Sequence, residues 1–371
     1  MGFRIPMSTS RLLVNIENLK KNYLYLDNLS NKNVITAAVV KSDAYGLGYE
    51  SISQSLHNIG CKNFFCAQLE EAINIRKVSK KINIFVFEGP FEKNLKDYKY
   101  FNITPIINSE EQLKIILDAK RKLNHNFQIV LNIDTGMNRL GLGFHEKKTP
   151  NLIENLINLH LKGYLNILFI MSHLSCSEDS GSLNNIDQLN KFNIIKSKFK
   201  KIPASFSNTG GILLGKKYHF NITRPGIGIY GCNPNGNLDE NFKNVVELEA
   251  DILQIRDIKK NEYVGYGGDF KSKKKMKLAT IGIGYADGYN RLLQNKGLVK
   301  ISDFLIPLVG RVSMDLIVLD VSSIPNNILN KTKTVKLIGK HYNIDRMSKD
   351  INSISWETLT KFGHRVERIY K

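Results

Sequence analysis

What the chain lacks narrows its identity first. No apolar run approaches the length of about eighteen residues needed to cross a bilayer. The opening residues, MGFRIPMSTS, carry no apolar core of the kind a secretory leader requires. Only four cysteines occur, Cys61, Cys66, Cys176 and Cys232, and their spacing matches no zinc or redox motif. They are expected to be reduced, in a cytoplasmic protein without a metal site. No Gly-x-Gly-x-x-Gly follows the first strand-like segment, which argues against a doubly wound dinucleotide-binding sheet. Low-complexity tracts are absent.

The 371 residues that remain to be explained are 42% hydrophobic and 23% charged, ordinary for one large globular domain plus a smaller one. A formal charge of +19 raises nucleic acid or an anionic membrane as partners. The lysines, however, are spread along the chain among asparagines and isoleucines. The densest basic run, Lys271 with Lys273, Lys274 and Lys275, is short and has no interleaved aromatics. It reads as a solvated basic surface, and neither partner is expected.

From Val34 to Gly231 short β-branched runs alternate with longer amphipathic stretches. Strands are predicted at Val34–Lys41, Asn63–Gln68, Asn83–Gly89, Thr104–Asn108, Phe127–Asp134, Leu168–Leu174, Ala204–Asn208 and Ile222–Tyr230. Most are continuous apolar runs, the pattern of strands buried on both faces of a parallel sheet. Helices are predicted at Tyr49–Ile59, Leu69–Ser79 and Ser109–Leu123, the last opening on a capping-box pattern, Ser109 to Gln112. Eight strands with intervening helices specify an α/β fold, a (β/α)₈ barrel of the TIM type. After Tyr230 the rhythm stops. Gly231–Asn241 reads as a linker, and β-type segments follow at Val245–Ile255, Met276–Tyr285, Leu298–Ile301, Pro307–Val321 and Val335–Ile338, with a late helix at Ile354–Lys361. The expected organisation is a barrel over residues 11–238 and a mainly β C-terminal domain over 239–371.

Barrel enzymes gather their chemistry at the carboxyl ends of the strands, with phosphate often bound after strands seven and eight. Here the first strand ends in Lys41, where low solvation depresses an amine's pKa and permits a Schiff base with a carbonyl. The plain alternative is a snorkelling surface lysine. Strand seven ends in Ser207-Asn208-Thr209-Gly210-Gly211, offering a hydroxyl and open amides. Strand eight carries Arg224-Pro225-Gly226-Ile227-Gly228, whose glycines let backbone N–H groups approach an anion. Either segment alone reads equally as a tight turn. Both together, with a lysine at strand one, describe a phosphate cup.

These residues carry a resemblance. AVVKSDAYG at Ala38–Gly46 is similar to the pyridoxal-phosphate lysine motif of the alanine racemases. The likeness continues in order through Asp134–Gly141, Ser172–Leu174, Arg224–Gly231, Val264–Gly267, Gly284–Gly288 and Gly310–Asp315. It implies an isomerase that interconverts L- and D-alanine with pyridoxal 5'-phosphate held on Lys41. It also implies two bases, Lys41 on one face of the substrate and Tyr266 on the other, because one rigid base cannot serve both. On its own Tyr266 would read as a turn aromatic.

The resemblance further implies that Arg224 faces the pyridine nitrogen; guanidinium only donates, so that nitrogen must stay unprotonated. Tyr45, Thr209, Gly226 and Ile227, beside Asn208, would hold the phosphate. Arg139 would serve the cofactor's phenolic oxygen and the substrate carboxylate. His173 matches a histidine that supports the cofactor site. Met314 and Asp315 match a loop that reaches the substrate from a partner subunit, and Tyr285 a tyrosine of the substrate entry. A head-to-tail homodimer with shared active sites follows, as does a role in supplying D-alanine for peptidoglycan.

Three positions depart from the family pattern. Asn132 stands where many members have a carbamylated lysine that orients the neighbouring arginine, so a bound anion or Asn132 itself would have to hold Arg139. Ser205 replaces a frequent histidine beside Arg224, and His364 falls where many members have a tyrosine. These departures leave a racemase of serine, or of broad specificity, as the nearest rival. A decarboxylase of the same cofactor fold, a non-catalytic cofactor carrier and a nucleic-acid binder are more distant ones.

Overall fold

The structure, a computed structural model, describes residues 8–143, 149–236 and 239–371. The chain divides into two compact units, one of Lys20–Ala44 with Gly48–Ile229 and one of Met1–Leu19, Tyr45–Leu47 and Tyr230–Lys371.

The first unit is the barrel. Among its described residues a parallel ring runs through Asn63–Cys66, Asn83–Val86, Thr104–Ile107, Gln128–Asp134, Asn166–Met171, Ala204–Ser205 and Ile222–Thr223. The first strand closes it in two short pieces. Ile35–Thr36 pairs with Ile222–Thr223, and Ala38–Val39 pairs with Asn63–Cys66. Eight strands result once those pieces are joined. Most of their residues are apolar and buried because both faces of the sheet are covered, with Asn83 and Gln128 exposed at strand starts. Inside, the Phe65 and Phe85 rings stack at 4.7 Å and Phe169 meets Phe85 edge-on at 5.2 Å. Each such fully buried ring contributes roughly 1.5–3 kcal/mol.

Helices separate the strands, among them Tyr49–Asn58, Leu69–Arg76, Glu110–Leu123, Thr149–Leu161 and Leu183–Lys198. At the start of Glu110–Leu123 the Ser109 hydroxyl accepts from Gln112 N at 3.1 Å. The reciprocal half of the predicted capping box is altered. Gln112 Oε1 accepts from Asn108 N instead, at 2.8 Å, while its Nε2 donates to the Glu88 carbonyl.

The second unit is mainly β. Its spine is Val246–Ile258, long enough to pair with Thr334–Ile338 through one half and with Met276–Ile281 through the other. Register shifts at Leu248/Glu249 and Ile252/Gln254 bend it between the two partners, as bulges do.

Residues 11–19, expected within the barrel, belong here. Ser10–Val14 lies antiparallel to Val246–Ile258 and parallel to Glu367–Tyr370, and all five of its residues are buried. Arg11 fixes the pairing with a bidentate bond to Asp251. The predicted linker is also partly absorbed, since Cys232 and Asn233 are buried and Asn233 N donates to Asp345 at 3.1 Å. The predicted boundary at 238 lies outside the described residues.

Among the described residues no helix is long and apolar enough to cross a membrane, and no cluster of three or more His, Cys, Asp or Glu could hold a metal. All four cysteines are free.

Candidate active site

Lys41 leaves the first barrel strand and opens a one-turn helix, Lys41–Gly46, of unusual hand. Ser42, Asp43, Ala44 and Tyr45 have φ of 53°, 54°, 52° and 58°. Four successive non-glycine residues are thus left-handed, at about 1–2 kcal/mol each. Such conformations persist where surrounding bonds over-determine them. Here the Ala44 amide donates to the Val40 carbonyl at 3.0 Å, and Asp43 receives the Gly48 amide on its carbonyl and the Tyr49 amide on its carboxylate. The Ser42 amide donates to Glu71. Lys41 itself is half-buried, and its pKa is lowered by burial first and by Arg139 second, with Glu71 opposing.

Three cations share this end of the barrel unit. Arg224 is 2% exposed; its Nη1 donates to the Ser205 hydroxyl and its Nη2 to the Ser172 carbonyl at 2.6 Å. The Phe65 ring covers it, with Cζ 5.9 Å from the ring centre. Burial alone brings its pKa down to about 9, which still leaves it charged at neutral pH. His173 lies within the field of all three. Its pKa falls to about 3, by burial first and then by Arg224, Arg139 and Lys41, so the imidazole is neutral.

Arg139 sits on a loop that its own motif builds. The Asp134 carboxylate accepts from the amides of Gly136, Met137 and Asn138 at 2.9, 2.9 and 3.2 Å. Gly141 closes the turn at φ +131°, where a Cβ would lie 2.7 Å from Asp134 N. Only glycine fits there. Asn132 does not hold the Arg139 guanidinium directly, one of the two expectations from the sequence. Its Nδ2 donates to Asn108 Oδ1 at 2.9 Å and to the Leu140 carbonyl at 3.2 Å, steadying the backbone next to Arg139.

After strand seven, Asn208 caps the short helix Thr209–Leu213 by accepting from Gly211 N at 2.8 Å. Thr209 Oγ1 accepts from Gly226 N at 3.0 Å and Gly228 N at 3.3 Å, joining the segments after strands seven and eight. Ile227, between those glycines, is buried. The Thr209 hydroxyl hydrogen finds no acceptor among the described residues.

The remaining predicted residues belong to the second unit. Tyr45 is buried against Tyr230, the ring centres 4.4 Å apart, and burial pushes its phenol well above the ordinary value. Tyr266 is 71% exposed, on a turn framed by Gly265 and Gly267 at φ +75° and +73°. Arg311 lies against that turn and grips Asp269 through two bonds. Tyr285, Met314 and Asp315 are brought together: the Tyr285 and Ala286 amides donate to the Ser313 and Met314 carbonyls at 3.0 Å each. Asp315 is paired with Arg365, next to the exposed His364.

Sequence reasoning missed roles for Glu71, Ser172, Phe65 and Asp134. Signals were present for three of these: Asp134 and Ser172 open two of the matched motifs, and Gln68–Glu71 has a capping spacing, whereas Phe65 left none.

The groups in the barrel unit suit pyridoxal phosphate. Its net positive charge matches a phosphate and a substrate carboxylate. An amine of lowered pKa suits an imine, and the buried Thr209 hydroxyl still has a hydrogen to donate.

These groups form a lysine-centred candidate site in a barrel, and comparison with known proteins gives the family. Residues 14–234 match the model of the alanine racemase N-terminal domain, and residues 245–370 that of the C-terminal domain. The chain belongs to the alanine racemase family, whose members are isomerases. An alanine racemase from Rickettsia canadensis is 39% identical over 98% of this chain and 99% of its own length. A relative from Agrobacterium fabrum, named a catabolic alanine racemase, is 37% identical over 98% of this chain and 92% of its own. The crystal structure of the Bartonella henselae alanine racemase, with covalently bound pyridoxal phosphate, is 35% identical with a TM-score of 0.89, covering 99% of this chain and 100% of that one.

Proposed function

We propose that this protein interconverts L- and D-alanine using pyridoxal phosphate bound to Lys41. The observation that carries the reading is the half-buried Lys41 amine, its pKa lowered, among Arg139, Arg224 and a neutral His173. When bound, pyridoxal phosphate withdraws electrons from the amino acid and acidifies its α-hydrogen. Lys41 Nζ would hold the cofactor at rest and, once freed by substrate, exchange a proton at the α-carbon on one face. The Thr209 hydroxyl, the Gly226 and Ile227 amides and the Tyr45 phenol would hold the phosphate, with Asn208 fixing the turn. Arg224 would donate to the ring nitrogen, backed by Ser205, and keep that nitrogen unprotonated. Arg139 would bind the substrate carboxylate.

Tyr266 Oη would exchange the proton on the opposite face. Its exposure suits a group that completes its environment in a second copy of the chain, so the reading includes a homodimer in which Tyr266, Met314 and Asp315 of each copy serve the other's barrel. Tyr285 would line the entry. The Asp315 carboxylate is taken by Arg365, which leaves its backbone amide for substrate. Supply of D-alanine for peptidoglycan in the cytoplasm is the proposed role, and the catabolic name of the Agrobacterium relative marks the competing one.

The test is a chiral assay with added cofactor over a panel of L- and D-amino acids that includes serine. Alanine should interconvert fastest. Turnover of serine alone would reassign the substrate, and turnover of none would end the reading.

A further inference from the structure

We propose that Glu71 is a positioning residue for Lys41, its carboxylate tying the turn that carries the lysine to the neighbouring barrel strand. The inference rests on the reading of Lys41 given above. Glu71 stands at the third position of helix Leu69–Arg76, where a carboxylate ordinarily caps its own helix by accepting from the N-cap amide. It does that here: Oε2 accepts from Gln68 N at 3.1 Å and also from Ala67 N at 2.7 Å. Capping leaves the second oxygen without a task. Oε1 reaches outside its own helix to the amide of Ser42, the residue after Lys41.

Three amides from two adjacent strand ends therefore converge on one carboxylate. The Ser42 bond falls on the first residue of the left-handed run Ser42–Tyr45, a conformation that the chain does not favour by itself. Asp43 secures the far end of the run through Gly48 and Tyr49. Glu71 secures the near end, where a rotation of the backbone would swing the Lys41 side chain. Its charge has a second effect. Arg139, from the loop after Gln128–Asp134, and burial both favour the neutral amine, and His173, after Asn166–Met171, is itself neutral. Glu71 opposes them and retains the Lys41 proton over a wider range of pH.

The two effects separate by substitution. Glu71→Gln removes the charge and one acceptor oxygen, turning an NH₂ toward an amide donor. Glu71→Asp keeps the charge and shortens the reach. Gln68→Ala weakens the same helix start and leaves the Ser42 bond intact. In the cofactor-loaded full chain, the pH titration of the visible absorbance band reports the proton on Lys41 Nζ. For Glu71→Gln its midpoint should move about one pH unit lower, and kcat should fall about 10- to 100-fold with KM for alanine little changed. Glu71→Asp should keep the midpoint and lose the rate. Gln68→Ala should keep both.

If Glu71→Gln matches the wild type in midpoint and kcat, or Gln68→Ala shifts them equally, Glu71 is a helix cap alone and the proposal is overturned. If Glu71→Gln does not fold, Glu71→Asp decides: wild-type kcat overturns it, and a reduced kcat at an unchanged midpoint supports it. Borohydride reduction followed by peptide mass analysis tests the underlying reading separately. A label on any residue but Lys41 removes the reading, whatever the Glu71 variants do.

Discussion

The two units prepare their functional groups in opposite ways. In the barrel unit Lys41, His173 and Arg224 are drawn away from water while Arg139 stays exposed: Arg224 is 2% exposed, Lys41 is half-buried, and burial is the first cause of every shift at Lys41, His173 and Arg224. Backbone amides and buried hydroxyls fix them in place. In the β-rich unit the corresponding groups stand in the open, Tyr266 at 71%, Met314 at 53% and Tyr285 at 44% exposure. What fixes those is the turn beneath them. Glycines at positive φ frame Tyr266, and at Gly284 a Cβ would come within 2.2 Å of the Met314 carbonyl. One unit sets reactivity by desolvation, and the other sets position and leaves reactivity to its surroundings.

Breaking the chemistry on either side should have the largest effect. Lys41→Ala should abolish racemisation and the imine absorbance together. Tyr266→Phe should lower kcat by about 10²–10⁴-fold yet leave exchange of the α-hydrogen with deuterium for one enantiomer, since Lys41 still serves its own face. Equal loss of exchange from both enantiomers would contradict the division of labour.

Mixing the Lys41→Ala and Tyr266→Ala chains sharpens the comparison next. Each heterodimer then contains one intact pairing of the two groups, and activity should return. Isolated heterodimers with no activity would show that the exposed tyrosine does not work across copies.

Smaller effects separate desolvation from turn geometry. His173 is neutral in the folded barrel down to about pH 3, whereas an unfolded histidine protonates near 6.5. The unfolded chain thus binds the extra proton first. Stability should fall as pH drops from about 6.5 toward 3, by up to a few kcal/mol. His173→Asn should flatten that slope in denaturant titrations, and an unchanged slope would mean that the imidazole is better solvated than its surroundings indicate. Gly284→Ala, by contrast, should cost about 1–3 kcal/mol through crowding. Its thermal midpoint should drop without altering the cofactor absorbance of the barrel.

Much of this was legible in the sequence because it is local. The barrel strands announce themselves as short apolar runs, and the Ser109 cap and the Asp134–Gly141 loop follow from side chains bonding amides a few residues away. Ser10–Val14 and Glu367–Tyr370 were not legible, because each forms against a strand from the other end of the chain. The left-handed turn after Lys41 contains no glycine until Gly46, so nothing in its residues signals the conformation. The role of Glu71 was hidden likewise, behind an ordinary capping pattern.

By itself, then, the sequence determined the alternation of strands and helices and the residue types available to the chemistry. Periodicity and backbone preference act over a few residues, and those travel with the chain. Only the tertiary structure decided which amine lost its water, which arginine met Ser205 and Ser172, and which carboxylate reached the amide after Lys41. Desolvation and convergent hydrogen bonds depend on segments far apart in the chain, and they exist only once the strands have closed.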